Sequence, residues 1–508
     1  MAVITVVSRL SGYMRDKAVA MVLGTTPIAD AFYAGLAVPN TFRALLAEGT
    51  MHAAFIPALA ELKSTGEAEA QRRFVRAMTG TLLLALPFVV LAGVAAAPLL
   101  VRLFAPGFAG GEHFATAVRF TRLMFPYLGF ISLAALAQGV LNASGRFLLP
   151  AATPLALNLL AVLGTLTAVW LGGAWEWMAF GVLAGGLAQL ALQLPACRAV
   201  GMPLRPGGGW LRHPEVRRVL ALMLPGIPAL GVYELTLLVS YRFASAAGPG
   251  AITARFNANR LAELVYGIFI VQLTTAALPL LSADRARDAD EARRTLAFAL
   301  RLLSLAAVPA AVALVVLAHP IVGTAFGGGE YGAASVAMTA GALAMYGWGL
   351  PFLGLTKLLA ATSYAWKDTR APVIAAAVNL AAFFALGTAW TPAYGVAGIA
   401  AAASAGQVVN ASLLLALNGR ARRLPRAAEV LPAVARHLAA AAAMAAALWA
   451  LVRVLPAMTA TSVHSLAALA VLAAAGVAVY LAVLLAVRAP EWRELHDVLA
   501  RRRVGRRA

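Results

Sequence analysis

The sequence is poor in charge, almost devoid of cysteine and empty of catalytic signatures. Charged residues make up 12% of the chain, about half of what a soluble domain needs to cover its surface. That excludes a single soluble domain and a charge-rich disordered chain. Cys197 is the one cysteine, so an internal disulfide is impossible and thiol redox chemistry has no pair to work with. There is no Gly-Lys dipeptide, hence no Walker-type phosphate loop, and HExxH, CxxC and GxSxG are all missing. The seven histidines are scattered without ligand spacing. Gly327-Gly328-Gly329-Glu330-Tyr331-Gly332 fits GxGxxG, but it follows an apolar span instead of a strand. It therefore reads as a flexible outer loop and not as a dinucleotide site. Nothing here points to an enzyme.

What is abundant is apolar sequence, at 62% of 508 residues. A helix crossing the hydrocarbon needs about 20 mainly apolar residues. That ruler lays out fourteen candidate spans, at 4–24, 28–47, 77–103, 118–142, 147–171, 176–198, 219–245, 251–281, 296–317, 333–362, 371–390, 394–418, 432–454 and 463–487. The expected fold is an all-α polytopic membrane protein. No cleavable signal peptide is expected, because Arg9, Arg15, Asp16 and Lys17 stand where an apolar run would be.

The loops carry the orientation. Counted alternately from an inner amino terminus, the inner loops and the tail hold twenty-eight Lys and Arg, from Lys63 and Arg72 through Arg285 and Arg420 to Arg507. The outer loops 25–27, 104–117, 172–175, 246–250, 318–332, 391–393 and 455–462 hold none. This positive-inside asymmetry predicts both termini in the cytoplasm. It accounts for most of the net charge of +20 as contacts to anionic membrane lipids, with no need for nucleic acid. Trp170, Trp175 and Trp177 gather at one outer loop, as an interfacial belt does.

A shift of 222 residues superimposes Pro57 on Pro279, Glu69 on Glu291, Arg72 on Arg294, Pro87 on Pro309, Pro98 on Pro320, Phe104 on Phe326 and Pro150 on Pro372. Six spans fall in each copy, so the repeat is parallel, and a parallel repeat predicts a cavity between its halves. The expected layout is a first six-helix lobe at 1–200, a second at 201–420, a helix pair at 421–490 and a basic tail at 491–508. In that tail Trp492, Leu495 and Leu499 recur at i, i+3 and i+7 among arginines, which suggests a surface helix on the inner leaflet. Gly181 and Gly185 form a small-xxx-small pair suited to helix packing.

Charge inside the spans is the functional signal. Arg102, Arg119 and Arg453 lie near helix ends, where a long side chain snorkels to the interface. Arg15 lies some ten residues into the first span, roughly 15 Å deep at 1.5 Å per residue, and Arg260 lies about as deep in the eighth. Asp16 follows Arg15, Glu263 sits one turn from Arg260, and the second span carries Asp30 and Arg43. A mid-bilayer charge costs several kcal/mol, about 3 on insertion scales, and normally faces a partner or a wet cavity. An arginine–carboxylate pair gluing two helices together would explain any one of these residues. As a set, Arg9, Arg15, Arg43 and Arg260 outnumber the acids Asp16 and Asp30, with Glu263 assigned to Arg260. Guanidinium forks match phosphate oxygens, so an anionic substrate is expected.

The opening run Ser8-Arg9-Leu10-Ser11-Gly12-Tyr13-Met14-Arg15-Asp16 leads to Ala29-Asp30-Ala31-Phe32, Val38-Pro39-Asn40-Thr41-Phe42-Arg43, Ala47-Glu48-Gly49 and Ala54-Phe55-Ile56-Pro57. With Asn257-Ala258-Asn259-Arg260-Leu261, Leu278-Pro279 and Asp368-Thr369-Arg370-Ala371-Pro372, it closely resembles the MurJ (MviN) family of lipid II flippases. That family lies in the multidrug/oligosaccharidyl-lipid/polysaccharide exporter superfamily. The resemblance implies two six-helix lobes around a central cavity, a terminal pair forming a groove for a polyprenyl tail, and alternating access. It also implies that Arg9, Arg15, Asp16, Asp30, Arg43, Arg260 and Glu263 bind the diphosphate and sugar head of lipid II. Glu48, Arg255 and Arg370 are candidate gating or supporting residues. The protein is expected as a monomer in the bacterial inner membrane, without a cofactor.

In some family members an acid in the seventh helix and Asn/Asp in the eleventh hold sodium. Here the matching regions read Thr236-Leu237-Leu238-Val239-Ser240 and Asn379 followed by Phe383. Sodium coupling is therefore not expected, and membrane potential or protons would supply the drive. Two rival readings predict different residues. A multidrug exporter of the same superfamily calls for an acidic or aromatic cavity, and a non-transporting scaffold gains nothing from Arg15 and Arg260 inside the membrane.

Overall fold

The computed structural model describes residues 2–45, 50–64, 66–207, 210–454 and 463–487. Glu48, the outer loop 455–462 and the basic tail with Trp492, Leu495 and Leu499 lie outside them. The described chain is built from helices, and their boundaries repeat. The first copy runs α1 (Ala2–Leu23), α2 (Pro27–Arg43), α3 (Thr50–Ser64), α4 (Ala68–Ala95), α5 (Ala97–Phe104), α6 (Glu112–Met124), α7 (Tyr127–Ala143), α8 (Leu148–Trp170) and α9 (Glu176–Ala199). The second runs α10 (Pro214–Ala246), α11 (Ala251–Arg287), α12 (Ala289–Val316), α13 (Ala318–Phe326), α14 (Ala333–Ala365) and α15 (Arg370–Arg420). The chain continues with α16 (Ala427–Val454) and α17 (Val463–Ala486). The 222-residue shift carries α4 and α5 onto α12 and α13, α6 and α7 onto α14, and the start of α8 onto the start of α15, within about one residue each.

The repeated prolines hold repeated jobs. Pro87 and Pro309 lie inside long helices, while Pro98 and Pro320 lie in the first turn of the short helices that follow. There the missing N–H has no intrahelical partner to lose. Phe104 and Phe326 end those short helices fully packed.

Most candidate spans fall on one helix or helical arm, but 77–103 runs over both α4 and α5, 118–142 over both α6 and α7, and 28–47 past the end of α2. Among the described residues, nine helices are long and apolar enough to cross a membrane, or ten if the bent α11 is one span. The 51-residue α15 is really two arms that meet at Gly395, whose φ of 54° breaks the helix. They match the eleventh and twelfth candidate spans.

Contacts divide the chain into two compact units. The first comprises 1–253 with 329–331, and the second 254–328 with 332–508. In the first, α8 packs along α9 and against α1, and α7 lies on α9. Gly164 and Gly181 let the α8 and α9 backbones touch: a Cβ on Gly181 would meet the Leu160 carbonyl oxygen at 2.6 Å and the Gly164 Cα at 3.0 Å. This is helix packing through small residues, as Gly181 suggested. Gly181→Leu should therefore force α8 and α9 apart at a cost of about 3 kcal/mol or more. The check is size-exclusion chromatography in detergent, where the variant is expected to lose the monodisperse peak.

In the second unit, α14 packs along α15 and α12, and α16 and α17 dock on α12. Tyr480 donates to the Leu305 carbonyl at 3.1 Å, and Ser304 Oγ lies 2.8 Å from the buried His437 Nδ1.

The helix ends that carry the basic loops are stapled in a repeated way. Lys63 Nζ donates to the Ala143 carbonyl at 3.1 Å, and 222 residues on Arg285 stacks over the Trp366 ring at 5.6 Å. Arg72 donates to the Gly201 carbonyl at 3.2 Å, and Arg293 donates twice to the Arg422 carbonyl, at 3.0 and 2.7 Å. Asp368 closes the α14–α15 turn, accepting from the backbone N–H groups of Arg370 and Ala371 and from Arg423. The Ala371 N–H first, and the Arg423 guanidinium after it, hold this carboxyl below the usual carboxylate range.

Candidate functional site

The site is built around α1 of the first unit. Arg15 donates from Nε and Nη2 to one oxygen of Asp16, at 3.0 and 2.7 Å. From Nη1 it donates to Asn158 Oδ1 on α8, at 3.2 Å. Asn158 Nδ2 in turn donates to Ser11 Oγ at 2.8 Å, and Ser11 Oγ donates to the Ser8 carbonyl at 2.8 Å. Asp16 and Asn158 are buried, whereas the Arg15 side chain keeps 20% of its surface open. A guanidinium has five N–H donors. These bonds use three, so one N–H on each terminal nitrogen remains for an anion.

Arg9 is exposed one and a half turns earlier on the same helix. At the C-terminal end of α2, the Thr41 side chain hydrogen-bonds the buried Glu234 of α10, with Arg43 beside it. Glu234 was not counted in the sequence argument, so Arg43 has a carboxylate neighbour that the tally of acids missed. Its signal was available: an acid in the middle of the seventh apolar span.

Asp30 does not neutralise an arginine. Its carboxylate accepts from the Gly250 N–H at 2.7 Å, the Thr253 N–H at 2.8 Å and the Thr253 hydroxyl at 2.6 Å. It thus caps the first turn of α11 from another helix, with its charge at the positive end of the helix dipole. Next to it, the tip of the glycine-rich loop is tied down. The Glu330 N–H donates to the Met21 carbonyl at 2.9 Å, and Gly24 and Gly329 face carbonyls too closely to admit a Cβ. The flexible loop expected from sequence is, at its tip, docked on the α1–α2 corner.

In the second unit, Arg260 lies 3.8 Å from Glu263, too long for a strong pair, and Glu263 is held instead by Asn259 Nδ2 at 2.8 Å. Arg255 is buried in the same helix. Arg370 is exposed at the start of α15, with its backbone N–H on Asp368. Phe383, Asn379 and Ser240 are all buried. Among the described residues, no three His, Cys, Asp or Glu gather as a metal site would require.

The fold is that of a polytopic all-helical membrane protein, and solved structures share it. It superimposes on a solved structure of "Lipid II flippase MurJ, inward closed conformation" with a TM-score of 0.78 at 22% identity, covering 97% of this chain and 99% of the other. It also superimposes on an inward-facing multidrug resistance MATE family transporter of the MOP superfamily, with a TM-score of 0.66 at 15% identity over 83% of this chain and 98% of that one. The family model described as "Lipid II flippase MurJ" matches residues 19–472. A lipid II flippase MurJ from Burkholderia cenocepacia is 38% identical over 82% of each chain. A probable lipid II flippase MurJ from Rhizobium meliloti is 35% identical over 88% of this chain and 84% of the relative. The chain belongs to the MurJ family of lipid II flippases. It is a multi-pass bacterial membrane protein and a transporter, not an enzyme.

Proposed function

We propose that this protein moves lipid II from the cytoplasmic to the periplasmic leaflet of the inner membrane, by alternating access between two six-helix lobes. The observation that carries the reading is Arg15 on α1, with two N–H donors left over after its partners are satisfied. A diphosphate offers the acceptor oxygens that such a fork matches. The full proposed head-group set is Arg9, Arg15, Asp16, Asp30, Arg43, Arg260 and Glu263, with Glu48, Arg255 and Arg370 in support. Within it Asp30 acts through the α11 cap. The layout we infer has fourteen crossings, both termini in the cytoplasm, lobes at 1–200 and 201–420, and the pair at 421–490 taking the polyprenyl tail. The inner basic loops face anionic lipids, the protein works as a monomer without a cofactor, and nucleic acid plays no part.

The test is a headgroup-accessibility assay with labelled lipid II in reconstituted vesicles. Protection of the label should change with time only when the protein is present. Because Phe383 stands where an acid would complete a sodium site, replacing sodium with choline should leave the rate within about twofold. A rate that collapses in choline would overturn the coupling argument but not the flippase reading.

A further inference from the structure

We infer that Asn158 is a positioning residue that aims Arg15, a role that rests on the head-group reading above. The Asp16 contact alone does not fix the guanidinium. Asp16 is the next residue on the same helix, and a single oxygen takes both Nε and Nη2, so the plane can still swing about that oxygen. The third bond, from Nη1 to Asn158 Oδ1, anchors the plane to a different helix.

The amide that receives this bond cannot turn over. The guanidinium can only donate, so the group facing it must be Oδ1, and Nδ2 then donates to Ser11 Oγ, leaving the hydroxyl proton for the Ser8 carbonyl. The relay Ser8–Ser11–Asn158–Arg15 thus assigns the amide orientation by proton count. Burial of Asn158 to 6% exposure shields it from competing water. An asparagine also suits the charge. The Arg15–Asp16 pair is neutral overall, and an amide accepts from the guanidinium without adding the negative charge that would repel a phosphate.

The experiment measures binding of fluorescent lipid II to the purified full-length protein in nanodiscs, for Asn158→Leu, Asn158→Asp, Ser11→Ala, Arg15→Ala and the double variant Arg15→Ala/Asn158→Leu. Loss of a hydrogen bond to a charged group predicts about tenfold weaker binding for Asn158→Leu. Asn158→Asp keeps an oxygen toward Arg15 but should weaken binding at least as much, through its charge. Ser11→Ala removes only the group that holds the other side of the amide and should fall between wild type and Asn158→Leu. It also serves if Asn158→Leu does not fold. The decisive comparison is the double variant, which should bind no more weakly than Arg15→Ala alone, because Asn158 acts through Arg15.

Wild-type binding by both Asn158→Leu and Ser11→Ala, with Arg15→Ala impaired, would overturn this role and leave the head-group reading standing. Additive losses in the double variant would also overturn it, since Asn158 would then act by another route. Wild-type binding by Arg15→Ala would overturn the head-group reading itself, and this inference with it.

Discussion

Replacing Arg15 with alanine is expected to abolish growth of cells that depend on this protein as their flippase, while the protein still accumulates in the membrane. Arg15→Ala needs a control, because Asp16 is buried and loses its paired guanidinium. Breaking a buried pair in that way costs about 3–5 kcal/mol, so Arg15→Ala on its own could fail through misfolding. The double substitution Arg15→Ala/Asp16→Asn removes both charges, so it should hold the protein level near wild type and still fail to support growth. Arg15→Lys keeps the charge but replaces a planar fork with a point donor, and intermediate growth is expected. Full growth of the double substitution would remove the phosphate role. Complementation combined with membrane immunoblotting separates these outcomes.

Asp30→Ala is expected to have the largest effect on stability. It strips the Gly250 and Thr253 N–H groups and the Thr253 hydroxyl of their acceptor in a buried place. At about 1–3 kcal/mol for each stranded group, the total reaches about 4 kcal/mol or more. Asp30→Asn keeps one acceptor oxygen and loses the charge at the α11 terminus, so it should fall in between. Thermal melting of the purified protein in detergent reads the order wild type, Asn, Ala. Equal melting of all three would mean that this cap contributes nothing.

The class of fold was legible because its cause is local. Twenty apolar residues in a row and the spacing of prolines are properties of short stretches, and both survive into the helices. Pro98 and Pro320 open matching helices for the same steric reason that made them visible as a repeat. The partners of the charged residues were not legible, because they lie far away in the chain. Asp30 finds its acceptor role 220 residues on, and Arg15 finds Asn158 143 residues on. A lone asparagine in an apolar span reads as packing until the neighbouring helix is known. Local spacing gave only part of one contact: Arg260 and Glu263, one helical turn apart, pair at 3.8 Å, and Asn259 adds the shorter bond.

Cys197 sits on α9 with no exposed surface, its sulfur 3.7 Å from the Ala137 carbonyl oxygen. The native chain is therefore already silent toward water-soluble maleimides, and no background thiol has to be engineered away. A cysteine introduced at exposed Arg146, on an inner loop of the inferred topology, or at exposed Gly111, on an outer one, would label from opposite sides of sealed vesicles. The sidedness inferred from arginine counts can be read by reagent chemistry in an otherwise unaltered protein.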